Sequence, residues 1–553
     1  MKLFPAVVGA IAVGAVAASA PAFAQRPTLI RTGGPSRPGE PKIAVVASDR
    51  NLSGHRFSVA SGDRVVLRGR LRRAVGSPAP WHRAYTANLT GVRKPGRYVV
   101  RVAGWRSRPW NVRAGRESRL IDLVLNFFRS NSDGTEPSPI HAPSHLHDAT
   151  IKGGPHDGQR VDMTGGWMDA GDMLHFTQNA AFATAQLEAA ARLDPRDAGA
   201  IGAEADVGVR WLEKLHPFRD VFVVQIGDHR DHNRGFSDPA LDDSSGKPGI
   251  AYRFAYHWGG GVGGDIGGKV ATALALAADR ASGARRSQLV GEAEQWYAAG
   301  KAAHRPTPRV IDDFYVDTNW KDSMAAGAAA LYRVTGNSSY LADARSYLRQ
   351  YGIGDVMGYY EMSPFAAADL CGALGAPPLG GPAAKRQGCS GLRSAARQVR
   401  AEARRNAFGP SGFLSWGTTQ TVAAGGAETQ IAAEFAGFQG GRRIAAAGRD
   451  YLLGLNPWGA SFVAGFGPRS PRKIHSWASV FGDGLPRGAV VGGPAPRRAV
   501  LGQHVGRPRG PFAEFNSRRY VYEDRRADYV TSEPTIDSAA STVLLLAALH
   551  GAG

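Results

Sequence analysis

Two patterns of hydrophobic and polar positions divide the chain near residue 115. Before that point, short apolar runs such as 43–47 and 65–67 are separated by turn-forming Gly, Asp and Ser residues. After a Lys-Pro-Gly turn, Tyr98, Val100 and Val102 alternate with Val99 and Arg101, which is typical of a strand. Several strands within roughly ninety residues predict a β-sandwich over 25–115. We find no catalytic constellation in it and expect it to brace the next domain.

From residue 116 the apolar positions follow a helical period instead. Leu120, Ile121, Val124, Phe127 and Phe128 lie on one helical face. Further helices are predicted at 180–193, 268–281, 324–332, 340–350, 432–453 and 535–549. Many helices joined by long Gly-rich connections fit an α/α toroid, in which loops at one end build the site. An α-solenoid is the alternative, but the segments show no fixed repeat period.

The first 24 residues have the order of a secretory signal peptide. Lys2 precedes a short apolar run, and Ala22-Phe23-Ala24 forms a small-x-small cleavage site before Gln25. A membrane anchor is the alternative, but the run is short, and no stretch of spanning length follows Gln25. The sequence therefore predicts a secreted or periplasmic mature protein with no membrane span and no nucleic-acid partner.

Composition adds expectations about cross-linking and charge. Hydrophobic residues make up 43% of the 553 residues, which is ordinary for a globular protein. Cys371 and Cys389 are expected to form one local disulfide in an exported protein. A zinc site is the alternative, but no His lies nearby in sequence. We interpret the net charge of +20, mostly arginine, as spread along the chain. It either attracts polyanions or reflects a genomic bias, and we favour the bias.

Two groups of acidic residues carry the candidate chemistry. Residues 165–172 read Gly-Gly-Trp-Met-Asp-Ala-Gly-Asp, so that Asp169 and Asp172 stand three positions apart among glycines. Such a pair can supply a general base, bind a metal ion or hold a sugar hydroxyl group. The alternative is that it only forms an Asp-Gly turn. Near the C-terminus, Glu533 precedes Pro534 in a position that suits the first turn of the last helix. A glycosidase also needs two carboxyl groups, and it can assemble them from an Asp pair and an acid that is distant from that pair in sequence.

Together these segments resemble glycoside hydrolase family 9, whose members mostly cleave β-1,4-glucans. Residues 165–172 resemble one signature of the family, and 528–537 resemble its C-terminal signature. Other similar stretches, in the family's order, lie at 224–228, 317–322, 451–457 and 462–467. The N-terminal sandwich resembles the immunoglobulin-like module that precedes the catalytic domain in one branch of the family.

The resemblance implies an all-β immunoglobulin-like sandwich followed by an all-α (α/α)6 barrel over 116–553, with inverting, single-displacement chemistry. Asp172 is then the general base, Asp169 helps to hold the attacking water, and Glu533 is the general acid. The substrate contacts that we predict are His475, Trp167, Trp477, Trp416 and Tyr529. No cofactor is required. Calcium is known in the family, but the sequence assigns it no ligands.

The sugar-holding segment departs from the family pattern. Where the family carries a Pro-His-His-Arg-like stretch, this chain keeps His475 but has Ser476 and Trp477 in the next two positions. An Arg makes charge-assisted bonds to hydroxyl groups, whereas Trp offers a stacking face. The identity of the sugar therefore stays open.

The zinc ligands of some relatives also lack a full counterpart. Asp133 and Ser144 stand where those relatives have cysteines, and only His145 is kept. We therefore expect no metal at this position.

The leading hypothesis is an exported, monomeric, inverting hydrolase of a β-1,4-linked glucan or a related polysaccharide. A second is an exo-acting enzyme on cellodextrins or amino-sugar oligomers. A third is an anionic polysaccharide substrate, whose carboxylates Arg234 and Arg472 contact. A carbohydrate-binding relative without catalysis is the alternative of a different class. The changed sugar contacts favour it, and the intact carboxyl trio opposes it.

Overall fold

The computed structural model describes residues 26–76, 78–113, 117–312, 314–375, 380–410, 414–467, 469–481, 484–503, 505–506 and 510–552. The predicted signal peptide, 1–24, and the predicted domain boundary at 115/116 lie outside the described residues. In the described ranges, no helix combines the length and the apolar character that crossing a membrane requires.

The first domain is built from short strands. They are β1 (Leu29–Thr32), β2 (Ile43–Ser48), β3 (Arg56–Ser61), β4 (Arg64–Arg70), β5 (Arg72–Arg73), β6 (Arg83–Asn88), β7 (Gly96–Val102), β8 (Trp105–Arg106) and β9 (Trp110–Val112). One antiparallel sheet has the order β1-β2-β6-β5, and the other has the order β4-β3-β7-β8 with β9 also paired to β7. The predicted strands at 43–47, 65–67 and 98–102 lie in β2, β4 and β7. The sandwich prediction is confirmed.

The period of two along each strand decides which side chains enter the sandwich. In β7, Tyr98, Val100 and Val102 are buried between the two sheets. In β2, Val45 and Ala47 point the other way and join the hydrophobic core of the second domain. The β1-β2-β6-β5 sheet is therefore covered on both faces and attaches the sandwich to the helical domain.

The second domain is helical. Its helices, within the described ranges, are α1 (Glu117–Ser130), α2 (Thr177–Leu193), α3 (Ala198–Leu212), α4 (His229–His232), α5 (Gly264–Arg280), α6 (Gly283–Ala303), α7 (Lys321–Thr335), α8 (Ser338–Tyr351), α9 (Ser363–Cys371), α10 (Gly381–Ala403), α11 (Thr418–Phe435), α12 (Gly441–Leu452), α13 (Ala478–Phe481), α14 (Arg497–Gly502), α15 (Tyr529–Ser532) and α16 (Ile536–Gly551). Helices α2, α5, α7, α9, α11 and α16 contact one another in that order, and α16 closes the ring against α2. Helices α1, α3, α6, α8, α10 and α12 alternate with them along the chain and pack outside. The result is the predicted (α/α)6 barrel.

Small residues let the inner helices pack closely. Nearly every residue of α2, α5 and α16 is buried, and Ala is frequent in all three. A Cβ atom on Gly268 of α5 would lie 2.4 Å from the backbone of Ser323 in α7. The same small residues weaken the sequence signal. The buried stripe of α10 is mainly Ala and Gly, and that helix was not predicted.

One predicted helix is two helices in the structure. The segment 432–453 contains the end of α11, a turn and α12. In the turn, Gly437 and Gly440 adopt φ values of 68° and 84°. These left-handed conformations suit glycine and let the chain reverse between the helices. The prediction of one continuous helix is wrong.

The chain enters every inner helix from the same end of the barrel. The connections at that end carry β10 (Thr150–Lys152), β11 (His175–Phe176), β12 (Val223–Ile226), β13 (Phe254–His257), β14 (Ala495–Pro496) and β15 (Tyr520–Val521). Strands β10, β13, β12 and β11 form one small sheet, and β14 pairs with β15. The N-terminal ends of the inner helices therefore share one face of the barrel with its longest loops.

Cys371 and Cys389 form a disulfide that joins the end of α9 to α10. Both cysteines are buried. The zinc alternative for this pair is wrong, because both sulfur atoms are used in the bond.

Candidate active site

The residues predicted to be catalytic lie in the connections that lead into two neighbouring inner helices. Asp169 and Asp172 precede α2, and Glu533 precedes α16. The connection before α5 adds His232, and the connection before α7 adds Tyr315. Hydrogen bonds link all five residues into one cluster around the Asp169–Asp172 loop.

The backbone of this loop is fixed from behind. The Asn131 side chain donates hydrogen bonds to the carbonyl oxygens of Met168 (3.1 Å) and Ala170 (3.0 Å). The carbonyl oxygen of Asp169 accepts a hydrogen bond of 3.0 Å from the N–H of Ile536, the first residue of α16. The loop is therefore tied to the helix that follows Glu533.

Gly171 is the point where the loop, Glu533 and the His475 segment touch. Its N–H donates to Glu533 Oε1 at 3.1 Å. Its carbonyl oxygen accepts a bond of 2.9 Å from the N–H of Trp477. A Cβ atom at this position would lie 2.3 Å from the carbonyl oxygen of His475 and 2.8 Å from Glu533 Oε1. Glycine is required here by the close approach of two other segments.

Asp169 is the buried member of the aspartate pair, with 2% exposure. Its Oδ1 accepts a hydrogen bond from Asn179 Nδ2 (2.7 Å), and its Oδ2 accepts one from the Tyr315 hydroxyl (2.5 Å). Burial raises the pKa of Asp169 well above its usual range and outweighs these two hydrogen bonds, which lower it. The charge of Asp172 adds to the rise. Neither Asn179 nor Tyr315 was predicted.

Asp172 is more open, with 18% of its side chain exposed. Its Oδ1 accepts a hydrogen bond of 3.2 Å from the N–H of Leu174, and its Oδ2 lies 2.6 Å from His232 Nδ1. The hydrogen bond to Asp172 raises the pKa of His232, although burial of the ring opposes the rise. A protonated His232 donates to the carboxylate and stabilises its negative charge.

Sequence reasoning missed His232. The histidine lies two positions before Arg234, the only residue of this segment to which we assigned a role from the sequence. The available signal was an Asp-His pair shortly after Asp228 in a family-like stretch. Its partner could not be read from the sequence, because Asp172 is 60 residues away.

Glu533 follows the short helix α15 and does not begin the last helix. Its backbone is extended (φ −80°, ψ 130°), and Thr535 is the N-cap of α16. Its carbonyl oxygen accepts a hydrogen bond of 2.8 Å from the N–H of Gly492, which holds the segment in this extended form. The prediction that Glu533 lies in the first turn of the final helix is wrong. The extended backbone lets its carboxyl group reach Gly171.

The surroundings of Glu533 favour its protonated form. Burial raises the pKa of Glu533 well above its usual range, and the negative charges of Asp172 and Asp169 add to the rise. The hydrogen bond from Gly171 opposes it. The site thus holds Glu533, whose environment favours the protonated carboxylic acid, and Asp172, which pairs with His232. This division is what a general acid and a general base need.

One exposed ring and three half-buried rings form a row beside the carboxyl groups. Trp416 is 47% exposed, and its ring centroid lies 6.1 Å from that of Tyr529. The Tyr529 ring lies 5.7 Å from His475, which contacts Phe236 at 4.9 Å. His475 Nδ1 lies 2.6 Å from the carbonyl oxygen of Arg526, so an N–H there fixes the ring orientation. Such rings can stack on sugar faces, and the roles of His475, Trp416 and Tyr529 stay predictions.

Two predicted substrate contacts are wrong because their side chains are buried. Trp167 is 1% exposed, donates to Glu204 Oε1 at 2.9 Å and packs edge-on against Phe128. Trp477 is also 1% exposed and lies in a small apolar cluster with Met168. Both rings support the Asp169–Asp172 loop from the protein interior, and neither offers a face to a sugar.

An ion-pair network occupies the place of the zinc ligands of some relatives. His145 lies between Asp133 Oδ2 (2.8 Å) and Asp242 Oδ2 (3.0 Å). Arg253 Nη2 lies 2.8 Å from Asp133, and Arg234 pairs with Asp242. Burial lowers the pKa of His145, but the two carboxylates outweigh it and raise the pKa to about 10. Both ring nitrogens of His145 are therefore engaged. The prediction that Arg234 contacts an acidic substrate is wrong, because its guanidinium is paired within this network.

Calcium binding stays a prediction. Among the described residues, three side chains of metal-ligating type converge at Asp194, Asp197 and His550. His550 Nδ1 hydrogen-bonds to the two carboxylates at 2.7 and 3.1 Å. The cluster lies at the C-terminal end of α16, whereas Glu533 precedes the N-terminal end of that helix. We assign no metal to it.

Comparison with known proteins places these motifs in a family. Residues 118–546 match the family model described as "Glycosyl hydrolase family 9". The chain belongs to this family. Residues 37–107 match the model described as "Cellulase N-terminal ig-like domain". This member of glycosyl hydrolase family 9 is therefore a glycoside hydrolase with an N-terminal immunoglobulin-like domain, as its motifs predicted.

Plant endoglucanases and solved structures of endoglucanases are similar over most of the chain. Endoglucanase 3 of Oryza sativa subsp. japonica is 26% identical over 471 residues, which cover 76% of this chain and 90% of the rice protein. Endoglucanase 5 of Arabidopsis thaliana is 25% identical over 490 residues, which cover 78% of this chain and 74% of the relative. The crystal structure of a metagenome-derived glycoside hydrolase family 9 endoglucanase has a TM-score of 0.78 at 23% identity and covers 95% of this chain and 99% of its own. A thermostable endoglucanase from Alicyclobacillus acidocaldarius has a TM-score of 0.77 at 20% identity, over 95% of this chain and 100% of that chain. The structural likenesses confirm the fold.

Proposed function

We propose that this glycoside hydrolase is exported and cleaves a β-1,4-linked glucan, or a chemically related polysaccharide, within the chain and with inversion at the anomeric carbon. The observation that carries the proposal is the contact at Gly171, which joins Glu533 to the loop of Asp172 while their surroundings differ. Glu533 has a raised pKa because of burial and nearby negative charge. Asp172 pairs with His232 at 2.6 Å.

In the proposed reaction, protonated Glu533 donates its proton to the glycosidic oxygen as the bond to the leaving sugar breaks. Asp172 accepts a proton from a water molecule that attacks the anomeric carbon from the opposite face. Inverting enzymes hold the two carboxyl groups about 6.5–9.5 Å apart to leave room for this water. Asp169 helps to hold the attacking water by positioning the loop that carries Asp172, because Asp169 is buried and both of its carboxyl oxygens accept protein hydrogen bonds. Solvent then returns a proton to Glu533 and removes one from Asp172.

Substitutions at the two carboxyl groups test the proposal. We expect Asp172→Asn and Glu533→Gln to lower kcat/KM on polymers by about 10²–10⁴-fold, because each removes one proton transfer. Glu533→Gln should recover activity on an aryl cellobioside whose leaving group needs no proton, whereas Asp172→Asn should not. Asp122→Asn is a matched control, since Asp122 is exposed on α1. Retained polymer activity in either catalytic variant would refute the assignment.

Product analysis tests the proposed substrate, the inversion at the anomeric carbon and the cleavage within the chain. Soluble β-1,4-glucans, mannans, chitosan and acidic polymers are compared as substrates, and proton NMR follows the anomer that is released first. The α-anomer and mixed oligomers support inverting endo action, whereas release of a single sugar from one end supports the exo alternative. Sugar binding without any reducing-sugar release supports the non-catalytic alternative. A mature N-terminus at Gln25 after expression with the native leader supports export.

A further inference from the structure

The positive charge of the protein is concentrated in its sandwich domain. Residues 26–113 contain 19 Lys and Arg against three Asp and Glu, whereas residues 114–553 contain 47 against 44. Our interpretation of the charge as spread along the chain is wrong. A genomic preference for arginine acts on both domains, so it does not explain a surplus that is confined to one of them.

Five arginines of this domain lie on one face of the β4-β3-β7-β8 sheet. Residues directly opposite each other on antiparallel strands point to the same side. Arg68 of β4 is opposite Ser58 of β3, Ser58 is opposite Arg101 of β7, and Arg101 is opposite Arg106 of β8. Arg56 of β3 is opposite Arg70 of β4 and lies two positions before Ser58, so this pair shares the same side. We call Arg56, Arg68, Arg70, Arg101 and Arg106 the arginine face.

The arginine face points away from the catalytic domain. The alternate residues of the same strands, such as Phe57, Val59 and Val100, fill the interior of the sandwich. The other sheet lies beyond that interior and packs on the barrel through Val45 and Ala47. The arginine face is therefore the outermost layer, on the side of the sandwich opposite the barrel.

Its charges are not neutralised within the protein. All five side chains are exposed. In the described part of the chain, no ion pair connects any of them to a carboxylate. Arg70 donates to the carbonyl oxygen of Gly54 at 3.1 Å, and Arg101 donates to that of Gly62 at 3.5 Å. These bonds orient two of the guanidinium groups and leave their remaining N–H donors for a partner.

We propose that the arginine face binds an anionic polysaccharide that carries carboxylate groups. Such binding would hold the enzyme on a surface or matrix that contains this polysaccharide. Arginine pairs with carboxylates through two parallel hydrogen bonds. Neighbouring strands lie about 4.8 Å apart, so the row Arg68, Ser58, Arg101, Arg106 presents donors at intervals that suit an extended sugar chain. The proposal is independent of the catalytic assignment, because the face is separate from Asp172 and Glu533.

A polyuronate fits this face better than a membrane or a nucleic acid. Insertion into a bilayer needs large apolar side chains that protrude. Among Val65, Val66 and Val99, the valines on this side of the sheet, only Val66 is exposed, at 43%, and the other two are half-buried. Binding of single-stranded nucleic acid relies on exposed aromatic rings on which bases stack. The nearby ring of Trp105 is half-buried and covered by the Arg50 guanidinium at 5.2 Å.

The test compares two full-length variants with the same loss of charge. The first replaces Arg56, Arg68, Arg101 and Arg106 by Gln. The control replaces four exposed arginines on the outer helices α10 and α12 by Gln. These are Arg386, Arg397, Arg442 and Arg443. Binding to polygalacturonate, to a neutral soluble glucan, to phosphatidylglycerol vesicles and to single-stranded DNA is measured at about 20 mM salt, where surface charges are weakly screened.

We expect the native protein to bind polygalacturonate at least tenfold more tightly than the neutral glucan at this ionic strength. The arginine-face variant should lose at least tenfold in affinity for polygalacturonate. The control variant should stay within twofold of the native protein, and both variants should keep native activity on a short neutral oligosaccharide. Equal losses in the two variants, or no preference for polygalacturonate over the neutral glucan, would overturn the proposal. Tighter binding to the vesicles or to DNA than to polygalacturonate would also overturn it.

Discussion

Replacing Gly171 by Ala tests whether the close approach at this residue assembles the active site. The new Cβ atom would lie 2.3 Å from the carbonyl oxygen of His475 and 2.8 Å from Glu533 Oε1. Contacts this short require backbone movement, and one of the two partners is backbone. The φ of Gly171 is not positive, so alanine can adopt its conformation, and the clash is the main effect of the change. We therefore expect the loop to separate from Glu533 and the His475 segment.

The size of the effect follows from this geometry. A displacement of about 1 Å at a catalytic group costs on the order of 10²-fold in rate, which corresponds to about 2.7 kcal/mol in activation free energy. Overpacking of this kind costs about 1–3 kcal/mol of stability. We thus expect kcat/KM on a soluble glucan to fall by about 10²-fold, while the protein stays folded and its melting temperature falls by a few degrees.

Gly199→Ala is the matched control for the Gly171 variant. Gly199 lies in α3, and a Cβ atom added there would have no heavy atom within 4 Å, so the new methyl group meets open space. Steady-state kinetics and calorimetry on both variants separate the active-site effect from general destabilisation. Native kcat/KM in Gly171→Ala would refute the reasoning. So would an equal loss of activity in the Gly199 variant.

Three further predictions rest on a charge pair, on burial and on the disulfide. His232→Gln removes a group whose pKa is raised by its hydrogen bond to Asp172, so the acidic limb of the pH profile of kcat/KM should move to higher pH. An unchanged profile would contradict that pairing. Trp416→Ala should raise KM for polymers with little change in melting temperature, because the ring is 47% exposed, whereas Trp477→Ala should cost about 3–5 kcal/mol of stability, because the ring is 1% exposed. A large loss of stability in Trp416→Ala, or a raised KM without loss of stability in Trp477→Ala, would contradict the exposed position of Trp416 and the buried position of Trp477. Cys371→Ser opens a disulfide with a sequence separation of 18 and should cost about 3 kcal/mol of stability while activity at 25 °C is kept. An unchanged melting temperature would show that the bond adds no stability.

In the sandwich, apolar runs bounded by turn residues placed β2 and β4, and alternation placed β7, of which one side enters the apolar interior. Helical periodicity was less complete in the barrel. Helix α10 buries mainly Ala and Gly, which give a weak hydrophobic signal, and the turn between α11 and α12 depends on the positive φ of Gly437 and Gly440.

The candidate catalytic carboxyl groups were recognisable from short stretches of sequence, because Asp169 and Asp172 are neighbours and Glu533 lies in its own ordered motif. The aromatic residues were not. Trp167 and Trp416 have the same side chain, yet one is 1% exposed and the other 47%. Exposure depends on which distant segments pack over a ring, so residue type and local motif did not separate the two.

The order of residues was sufficient to indicate the family, the two-domain architecture and the candidate catalytic carboxyl groups. These properties depend on local patterns and on motifs whose members are adjacent in sequence. The tertiary structure decided the partner of Asp172, the environment that favours protonated Glu533, the rings that face solvent and the sheet face on which the arginines gather. Each of these depends on burial or Coulomb interaction between segments distant in sequence, and those interactions exist only after the chain has folded.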